Sequence, residues 1–198
     1  MKKIYLASAS PRRREILSSA GLEFDVITPE CDENIDIAEP GEYVSGLSLR
    51  KAQAGLELLR NAGVKEGLII GADTIVVHEG KILGKPADEA MAYEMLRSLS
   101  GKTHTVYTGV ALIDYSRSDE KCNEYVFYDK TDVTFYDIPD DDIIDYIKTG
   151  EPMDKAGAYG IQGIGCFLVK GITGDYYNVM GLPAARIIRL LKRIRYYE

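Results

Sequence analysis

A run of side chains suited to binding phosphate follows the first apolar segment of the chain. Residues 8–13 read Ser-Ala-Ser-Pro-Arg-Arg, where a short strand gives way to a helix whose first N–H groups can bind an anion. The hydroxyls of Ser8 and Ser10 and the guanidinium groups of Arg12 and Arg13 are donors suited to phosphate oxygens. An ordinary capped helix with solvated arginines is the alternative. Because cations in a first turn oppose the helix dipole, the segment favours an anion site.

An aspartate lies inside an apolar strand farther along the chain. Asp73 interrupts the nearly continuous apolar run Leu68–Val77, where an unpaired carboxylate is costly to bury. It is therefore a candidate metal ligand or general base, or else a structural carboxylate satisfied by backbone groups. Glu33, in an acidic loop, offers a second carboxylate. Because these donors are hard oxygens and only His78 and His104 are available as histidines, we expect Mg²⁺ or Mn²⁺ rather than zinc.

Three lysines stand in constrained positions. Lys51 lies on one helical line with four apolar residues, namely Val44, Leu47, Ala54 and Leu58. On such a line it either extends to solvent or reaches a buried anion. Lys85 is held between a glycine and a proline, and Lys155 precedes a glycine-rich loop that contains Gln162. Together with the arginines, these lysines would neutralise a triphosphate.

The elements that must position these residues follow an order typical of a mixed α/β protein. Strands are predicted over Ile4–Ala7, Phe24–Ile27, Leu68–Val77, Lys81–Leu83, Val106–Tyr115 and Tyr125–Tyr136. Helices are predicted from Pro11 to before Gly21 and over about 41–61, 87–99, 139–148 and 183–195. Residues 28–40 are predicted to be a loop, and the polar stretch 116–123 to join an antiparallel pair. Without a repeat or linker, one domain over 1–198 is expected.

Composition and charge exclude several classes of protein. The chain has 198 residues, of which 45% are hydrophobic and 28% charged, as in ordinary globular proteins. It has neither a signal-peptide pattern nor the roughly 20 apolar residues that span a bilayer. Three separated cysteines suggest neither a disulfide framework nor a zinc site. The net charge of −7 argues against nucleic-acid binding. From these patterns we expect a cytoplasmic protein with neither a membrane nor a nucleic-acid partner.

Read together, the motifs closely resemble those of the Maf family of nucleotide pyrophosphatases. The matching blocks run through nearly the whole chain in the expected order. They are Ser-Ala-Ser-Pro-Arg-Arg at 8–13, Cys-Asp-Glu at 31–33, Arg-Lys-Ala at 50–52, Gly-Ala-Asp-Thr at 71–74, Gly-Lys-Pro at 84–86, Glu-Pro-Met-Asp-Lys-Ala-Gly-Ala-Tyr-Gly-Ile-Gln-Gly at 151–163 and Asn-Val-Met-Gly-Leu-Pro at 178–183. The resemblance implies a mixed twisted sheet flanked by helices with a central cleft, similar to inosine triphosphate pyrophosphatases, and a possible division of the domain into two lobes.

The resemblance also implies a reaction and a set of roles. The reaction is hydrolysis of a nucleoside triphosphate to the monophosphate and pyrophosphate, with a divalent metal held by Glu33 and Asp73. Catalysis is implied for Asp73, Lys51 and Lys85, and phosphate binding for Ser8, Ser10, Arg12, Arg13 and Lys155. By the same resemblance, Thr74, Arg12 and Gln162 look like the residues of the subgroup that acts on dTTP and UTP. A glutamine can present both a donor and an acceptor to a pyrimidine edge, which is compatible with that role.

Three alternatives to a dTTP and UTP pyrophosphatase stay open on the sequence. A sister subgroup prefers 7-methyl-GTP. A nucleotide-binding regulator is a second alternative, because members of this family have been linked to septum formation. A nucleotidyltransferase would use the same phosphate and metal groups, but no motif here declares an acceptor site. The resemblance further implies a possible homodimer.

Overall fold

The computed structural model describes residues 2–116 and 122–196. The strands within them are β1 Ile4–Ala7, β2 Phe24–Ile27, β3 Glu66–His78, β4 Lys81–Leu83, β5 Thr103–Ser116, β6 Asn123–Phe135 and β7 Val169–Thr173. The helices are α1 Pro11–Ser19, α2 Pro40–Asn61, α3 Glu89–Leu99, α4 Asp140–Lys148, α5 Tyr176–Met180 and α6 Ala184–Arg193. Short 3₁₀ turns cover Glu151–Asp154, Ala156–Ala158 and Gly163–Leu168. Among these described helices, none is long and apolar enough to cross a membrane.

Every predicted strand and helix is present; β1, β2 and β4 have the predicted bounds, and other elements have shifted ends. The third helix begins at Glu89 rather than 87, because Asp88 is its N-cap and its carboxylate accepts a hydrogen bond from the Met91 N–H at 2.7 Å. The last helix covers Ala184–Arg193 and is shorter than the predicted 183–195. The predictions did not include β7 or α5. Of the predicted connection at 116–123, residues 117–121 lie outside the described part.

The described strands form one mixed sheet, which confirms the predicted fold class. Their order is β2-β1-β3-β5-β6-β7, and β4 pairs with β3. β1 runs parallel to both β2 and β3, whereas β3 with β4 and β6 with β7 are antiparallel pairs. The parallel pairs need crossover connections, which α1 and α2 supply. The carboxyl end of β1 therefore leads directly into the N-terminus of α1, where the Ser-Ala-Ser-Pro-Arg-Arg segment lies.

The chain divides into two compact units. The first unit comprises residues 1–73, 108–129 and 181–198, and the second comprises 74–107 and 130–180. One hydrophobic cluster of the first unit is buried beneath α2 and consists of Ala7, Ala52, Leu56, Leu59, Ile69, Ala111, Ile113 and Tyr115. The core of the second unit includes Leu96, Leu99, Phe135, Ile143, Tyr146, Tyr159 and Leu168. Each unit thus has its own apolar core.

Helix α2 packs on the sheet of the first unit through small residues. A Cβ added at Gly71 would overlap the Ser48 carbonyl oxygen, and one added at Gly109 would overlap that of Val44. The backbone of α2 therefore lies directly on β3 and β5. The predicted apolar line is partly wrong, since Val44 is buried but Leu58 is 44% exposed. The buried face instead includes Ser48, Ala52 and Gly55.

Candidate active site

Lys51 joins the two predicted carboxylates in the first unit. Its Nζ lies 2.6 Å from Asp73 Oδ1 and 2.9 Å from Glu33 Oε1. The Lys51 and Asp73 side chains are 17% and 13% exposed, whereas the Glu33 side chain is 64% exposed. Lys51 therefore reaches an anion rather than solvent, and Asp73 is paired with a cation rather than satisfied by backbone groups alone.

The charges at this contact reinforce one another. Burial by itself would lower the pKa of Lys51, but the neighbouring carboxylates of Asp73 and Glu33 outweigh it, so the pKa is raised. The ammonium group is thus firmly charged at neutral pH. Cys31 lies close to the same groups, and burial raises the pKa of its thiol. The site therefore presents an ammonium group and two carboxylates rather than a reactive thiolate.

The predicted anion segment lies at the start of α1, as its sequence indicated. Arg13 Nη1 donates to Ser8 Oγ at 3.1 Å, and Arg13 Nε donates to the Gly181 carbonyl oxygen at 2.9 Å. Burial lowers the pKa of Arg13, and the charges of Asp73 and Glu33 oppose that shift. Since an arginine stays protonated in proteins, these contacts fix the direction of a permanent cation.

The other residues of that segment are held less firmly. Ser10 precedes α1 but makes no side-chain capping hydrogen bond, and its N–H donates to Ser8 Oγ at 3.3 Å. Arg12 is half-buried, whereas Arg14 is exposed and donates to the Ala9 carbonyl oxygen at 3.2 Å. No acidic residue lies in the first turn of α1, so the positive charge there is not offset within that turn.

The predicted metal is consistent with the donors present. Glu33 and Asp73 already converge on one cation, the Lys51 ammonium group, and both supply hard oxygen atoms. In the described part of the chain, no group of three or more His, Cys, Asp or Glu side chains is placed to hold a metal. The proposed donors are therefore the two carboxylates, and Mg²⁺ typically takes one or two carboxylates and completes its shell with phosphate oxygens and water.

The remaining predicted residues lie in the second unit. Thr74 is half-buried on β3, and Lys85 is exposed after β4. Lys155 Nζ donates to the Glu151 carbonyl oxygen at 2.5 Å and to Asp154 Oδ1 at 2.7 Å. A backbone hydrogen bond joins the loop that carries Lys85 to the loop that carries Lys155, because the Gly157 N–H donates to the Gly84 carbonyl oxygen at 3.0 Å.

A carboxylate clamp, formed by Glu151 and Tyr146, holds the loop that carries Gln162. Glu151 Oε1 accepts hydrogen bonds from the Tyr146 hydroxyl at 3.0 Å and from the Gly165 N–H at 3.1 Å, while Oε2 accepts from the Ile164 N–H at 3.0 Å. The Tyr146 hydroxyl accepts in turn from the Gly160 N–H at 3.2 Å. The clamp therefore fixes the backbone on both sides of Gln162.

Electrostatics at the clamp favour an ionised carboxylate. Burial by itself raises the pKa of Glu151, but the two backbone donors, the Tyr146 hydroxyl and the charge of Lys155 lower it further than burial raises it. Burial also raises the pKa of the Tyr146 phenol, which therefore stays protonated and donates. A residue larger than glycine at Gly163 would press on Glu151, with 2.8 Å between its Cβ and Oε2.

His104 lies in the aromatic core of the second unit. Its Nε2 and the Tyr159 hydroxyl are 2.8 Å apart, and Phe135 meets both rings edge-on, with centroids 4.9 and 4.7 Å away. Burial, with a smaller contribution from nearby His78, lowers the pKa of His104 to about 3. His104 is therefore a neutral core residue at physiological pH.

Sequence reasoning missed three parts of these networks. Glu151 and Tyr146 were not singled out, although Glu151 opens the longest motif block. The Gly181 carbonyl that holds Arg13 lies 168 residues away along the chain. A backbone acceptor has no side-chain signature, so only the motif block at 178–183 marks that segment.

Comparisons with known proteins give matches over nearly the whole chain. The family model described as Maf-like protein matches residues 3–194. A dTTP/UTP pyrophosphatase of Bacillus cytotoxicus (strain DSM 22905) is 50% identical over 98% of this chain and 96% of its own length. Similar proteins of Bacillus cereus (strain ATCC 10987) and Bacillus anthracis (strain CDC 684), both named dTTP/UTP pyrophosphatase, are 48% and 47% identical over 98% of this chain and 90% and 96% of their own lengths.

Proposed function

This chain belongs to the Maf family, and we propose that it hydrolyses dTTP and UTP to the nucleoside monophosphate and pyrophosphate. The observation that carries the proposal is the identity of 48–50% over nearly the whole chain with relatives named dTTP/UTP pyrophosphatase. The contacts in the first unit agree with such chemistry, because Lys51 pairs there with the carboxylates of Asp73 and Glu33. The charge of Arg13, at the start of α1, interacts with both carboxylates. The reaction would remove non-preferred or modified nucleotides from the pool.

In the proposed reaction, a water molecule attacks the α-phosphorus in line with the bond to the bridging oxygen. That bond breaks, pyrophosphate leaves, and Asp73 accepts the proton that the water loses. Lys51 and Arg13 are fixed cations beside Asp73, and their charge stabilises the negative charge that grows on the phosphate oxygens. Ser8 keeps the Arg13 guanidinium in position.

The proposed cation is Mg²⁺ or Mn²⁺, held by Glu33 and Asp73. When bound, it would supply Lewis-acid stabilisation of the phosphate charge. Lys51 neutralises the same two carboxylates, so that they stay together instead of repelling each other. Lys51 thereby keeps both oxygen donors directed at one point.

The other roles are proposed on the motif match. Ser10, Arg12, Lys85 and Lys155 are the further phosphate-binding residues, and Lys85 is also proposed to be catalytic. Thr74, Arg12 and Gln162 are the specificity residues. The clamp on the Gln162 loop supports a recognition role, because a polar side chain that reads a base edge needs a fixed backbone. A homodimer and a cytoplasmic location stay predictions.

The first test is a substrate panel with Mg²⁺: dTTP, UTP, CTP, dATP, GTP and 7-methyl-GTP. Pyrophosphate and orthophosphate are measured separately. We expect pyrophosphate mainly from dTTP and UTP, and a loss of at least about a hundredfold in Asp73→Asn, in line with the loss of general-base catalysis. The matched control is Asp25→Asn, since Asp25 is a half-exposed surface carboxylate paired with Lys3.

Each other outcome of the panel has a definite meaning. Preference for 7-methyl-GTP would keep the reaction and overturn the assignment of Thr74 and Gln162. Wild-type turnover in Asp73→Asn would contradict both roles of Asp73, as base and as metal ligand. Tight nucleotide binding without release of pyrophosphate would identify a binding protein instead of an enzyme.

A further inference from the structure

A groove in the first unit has features that the proposed reaction does not use. It lies between β6 and α6 and has a volume of about 470 Å³, within the range of small-molecule sites. One wall carries three arginines of α6, and the other carries aromatic residues of β6. These six polar and aromatic lining residues are Glu124, Tyr125, Phe127, Arg186, Arg189 and Arg193.

Helix stability does not explain the arginine wall. The three arginines are spaced by three and four residues, so they share one face of α6, and no acidic residue lies anywhere in that helix. Like charges at such spacings destabilise a helix. Arg186 is the third residue of the helix, where a cation opposes the dipole, and only Arg193 lies in the favourable last turn.

Arg186 lies at the groove and is held in place by contacts with β6. Its Nη1 donates to the Tyr128 carbonyl oxygen at 2.6 Å, and its guanidinium lies 4.3 Å from the centroid of the Phe127 ring. Across the described residues, neither Arg189 nor Arg193 makes an ion pair with an acid, and both are exposed. Two cations therefore face the groove with their charge available to a ligand.

The aromatic wall is complementary to a different part of a ligand. Tyr125 and Phe127 alternate along β6 and so point to the same side of the strand, and the contact of Phe127 with Arg186 shows that this side faces α6. Glu124, also at the groove, accepts a hydrogen bond from Gln53 Nε2 at 3.3 Å. Guanidinium groups bind phosphate oxygens, and aromatic faces stack on bases.

We propose that this groove is a second nucleotide-binding site. Arg189 and Arg193 bind the phosphates of a nucleoside phosphate, and its base stacks against Tyr125. A small anion with an aromatic ring matches both walls, whereas a stable protein partner would bury an interface of at least about 1,000 Å². The proposal concerns binding only and does not depend on hydrolysis of the ligand.

The test counts bound nucleotide per chain by equilibrium dialysis. The probe is α,β-imido-dUTP, whose α–β bridge cannot be hydrolysed. We expect two molecules per wild-type chain. Each of Arg189→Ala and Arg193→Ala should weaken the groove site about tenfold, which is the loss of one charge-assisted hydrogen bond. Alanine favours the helix, so both variants should fold.

Two further variants separate the groove from the proposed active site. Lys192→Ala removes one charge from the same helix outside the groove lining and should keep two bound molecules. Arg13→Ala should weaken the other site alone. Binding of one molecule per wild-type chain that Arg189→Ala weakens and Arg13→Ala leaves unchanged would count against the proposed reaction and leave this inference standing.

Two results would overturn the inference. The first is one molecule per wild-type chain with an affinity that Arg189→Ala leaves unchanged. The second is pyrophosphate binding as tightly as α,β-imido-dUTP, with no effect of Tyr125→Leu on either affinity, because the base would then have no role in the groove.

Discussion

Lys51 shows how one side chain keeps two like charges together. The carboxylates of Asp73 and Glu33 would repel each other in a partly buried place, and the ammonium group between them removes that repulsion. Asp73 is held by strand β3, whereas Glu33 comes from an exposed loop. Glu33 is thus the more adjustable of the two proposed metal ligands, and its loss should affect metal binding more than the fold.

Glu33→Gln should raise the Mg²⁺ concentration needed for half-maximal activity by at least about tenfold, because a neutral amide is a weaker ligand than a carboxylate. Its effect on thermal stability should be small, since the Glu33 side chain is 64% exposed. Pyrophosphate release measured over a series of Mg²⁺ concentrations gives both the midpoint, which is the concentration for half-maximal activity, and the maximal rate.

The neighbouring Asp32 provides the control. Its side chain is also exposed, but it accepts a hydrogen bond from the Asn34 N–H and lies 3.9 Å from Arg50 rather than beside Lys51. Asp32→Asn should leave the Mg²⁺ midpoint unchanged. An equal shift in both variants would mean that loop charge alone, rather than a ligand at Glu33, sets the midpoint.

At the scale of single residues, the sequence indicated which side chains needed a partner but not which partner each one has. A carboxylate inside an apolar strand is expected to need a metal, a charge partner or backbone hydrogen bonds, and Asp73 is paired with Lys51. The helical line left two destinations open for Lys51, because a pattern within one helix does not identify the partner on another element. The bond from Arg13 to the Gly181 carbonyl was beyond prediction for the same reason.

Helix α2 illustrates why the prediction of elements succeeded while the prediction of their faces partly failed. The predicted line counted large apolar residues as core, and so included Leu58, which is exposed. The helix instead approaches β3 closely enough that Gly71 has no room for a Cβ. Small residues such as Ser48 and Ala52 therefore form the contact, and their burial cannot be read from hydrophobicity.

The clamp on the Gln162 loop gives a prediction at the element scale. Glu151→Gln replaces an acceptor of three hydrogen bonds by an amide that loses part of them. We expect KM for dTTP to rise about tenfold and discrimination against CTP to fall, with a smaller change in kcat, since a loosened loop weakens base recognition. Steady-state kinetics with both nucleotides measure these changes.

Glu94→Gln is the matched control. It makes the same chemical change at an exposed residue of α3 that takes no part in the clamp. Tyr146→Phe should reproduce part of the Glu151→Gln effect, because it removes one donor to Glu151 and the acceptor of the Gly160 N–H. If kcat falls while KM and discrimination stay at wild-type values, the clamp does not position a base-reading residue.

For the whole molecule, the sheet topology explains what local patterns could not supply. Strands β1, β2 and β3 were predicted from apolar runs, and their parallel pairing places the end of β1 beside Gly71 of β3. Strand β7 was missed, since Val169–Thr173 is short, contains a glycine and is largely exposed. Its pairing with β6 joins segments more than 30 residues apart, which a local window does not detect.

The stability of the protein should depend on pH through His104. In the folded protein its pKa is lowered to about 3, because burial disfavours the charged ring, whereas an unfolded histidine titrates near pH 6.5. Below about pH 6.5 the unfolded state therefore binds a proton that the folded state does not. This contribution is fully present above that pH and is lost as the pH falls toward 3.

We expect the free energy of unfolding to fall by about 1.4 kcal/mol per pH unit between roughly pH 6 and 4 through this residue alone. Urea unfolding at pH 7.5, 6 and 5 should show a flatter pH dependence in His104→Gln than in the wild type, even if the variant is less stable at pH 7.5. Tyr159→Phe removes the 2.8 Å contact but keeps the buried ring, so it should retain the wild-type slope. Parallel curves for His104→Gln and the wild type would contradict a buried neutral histidine, and the acid sensitivity would then arise from other groups.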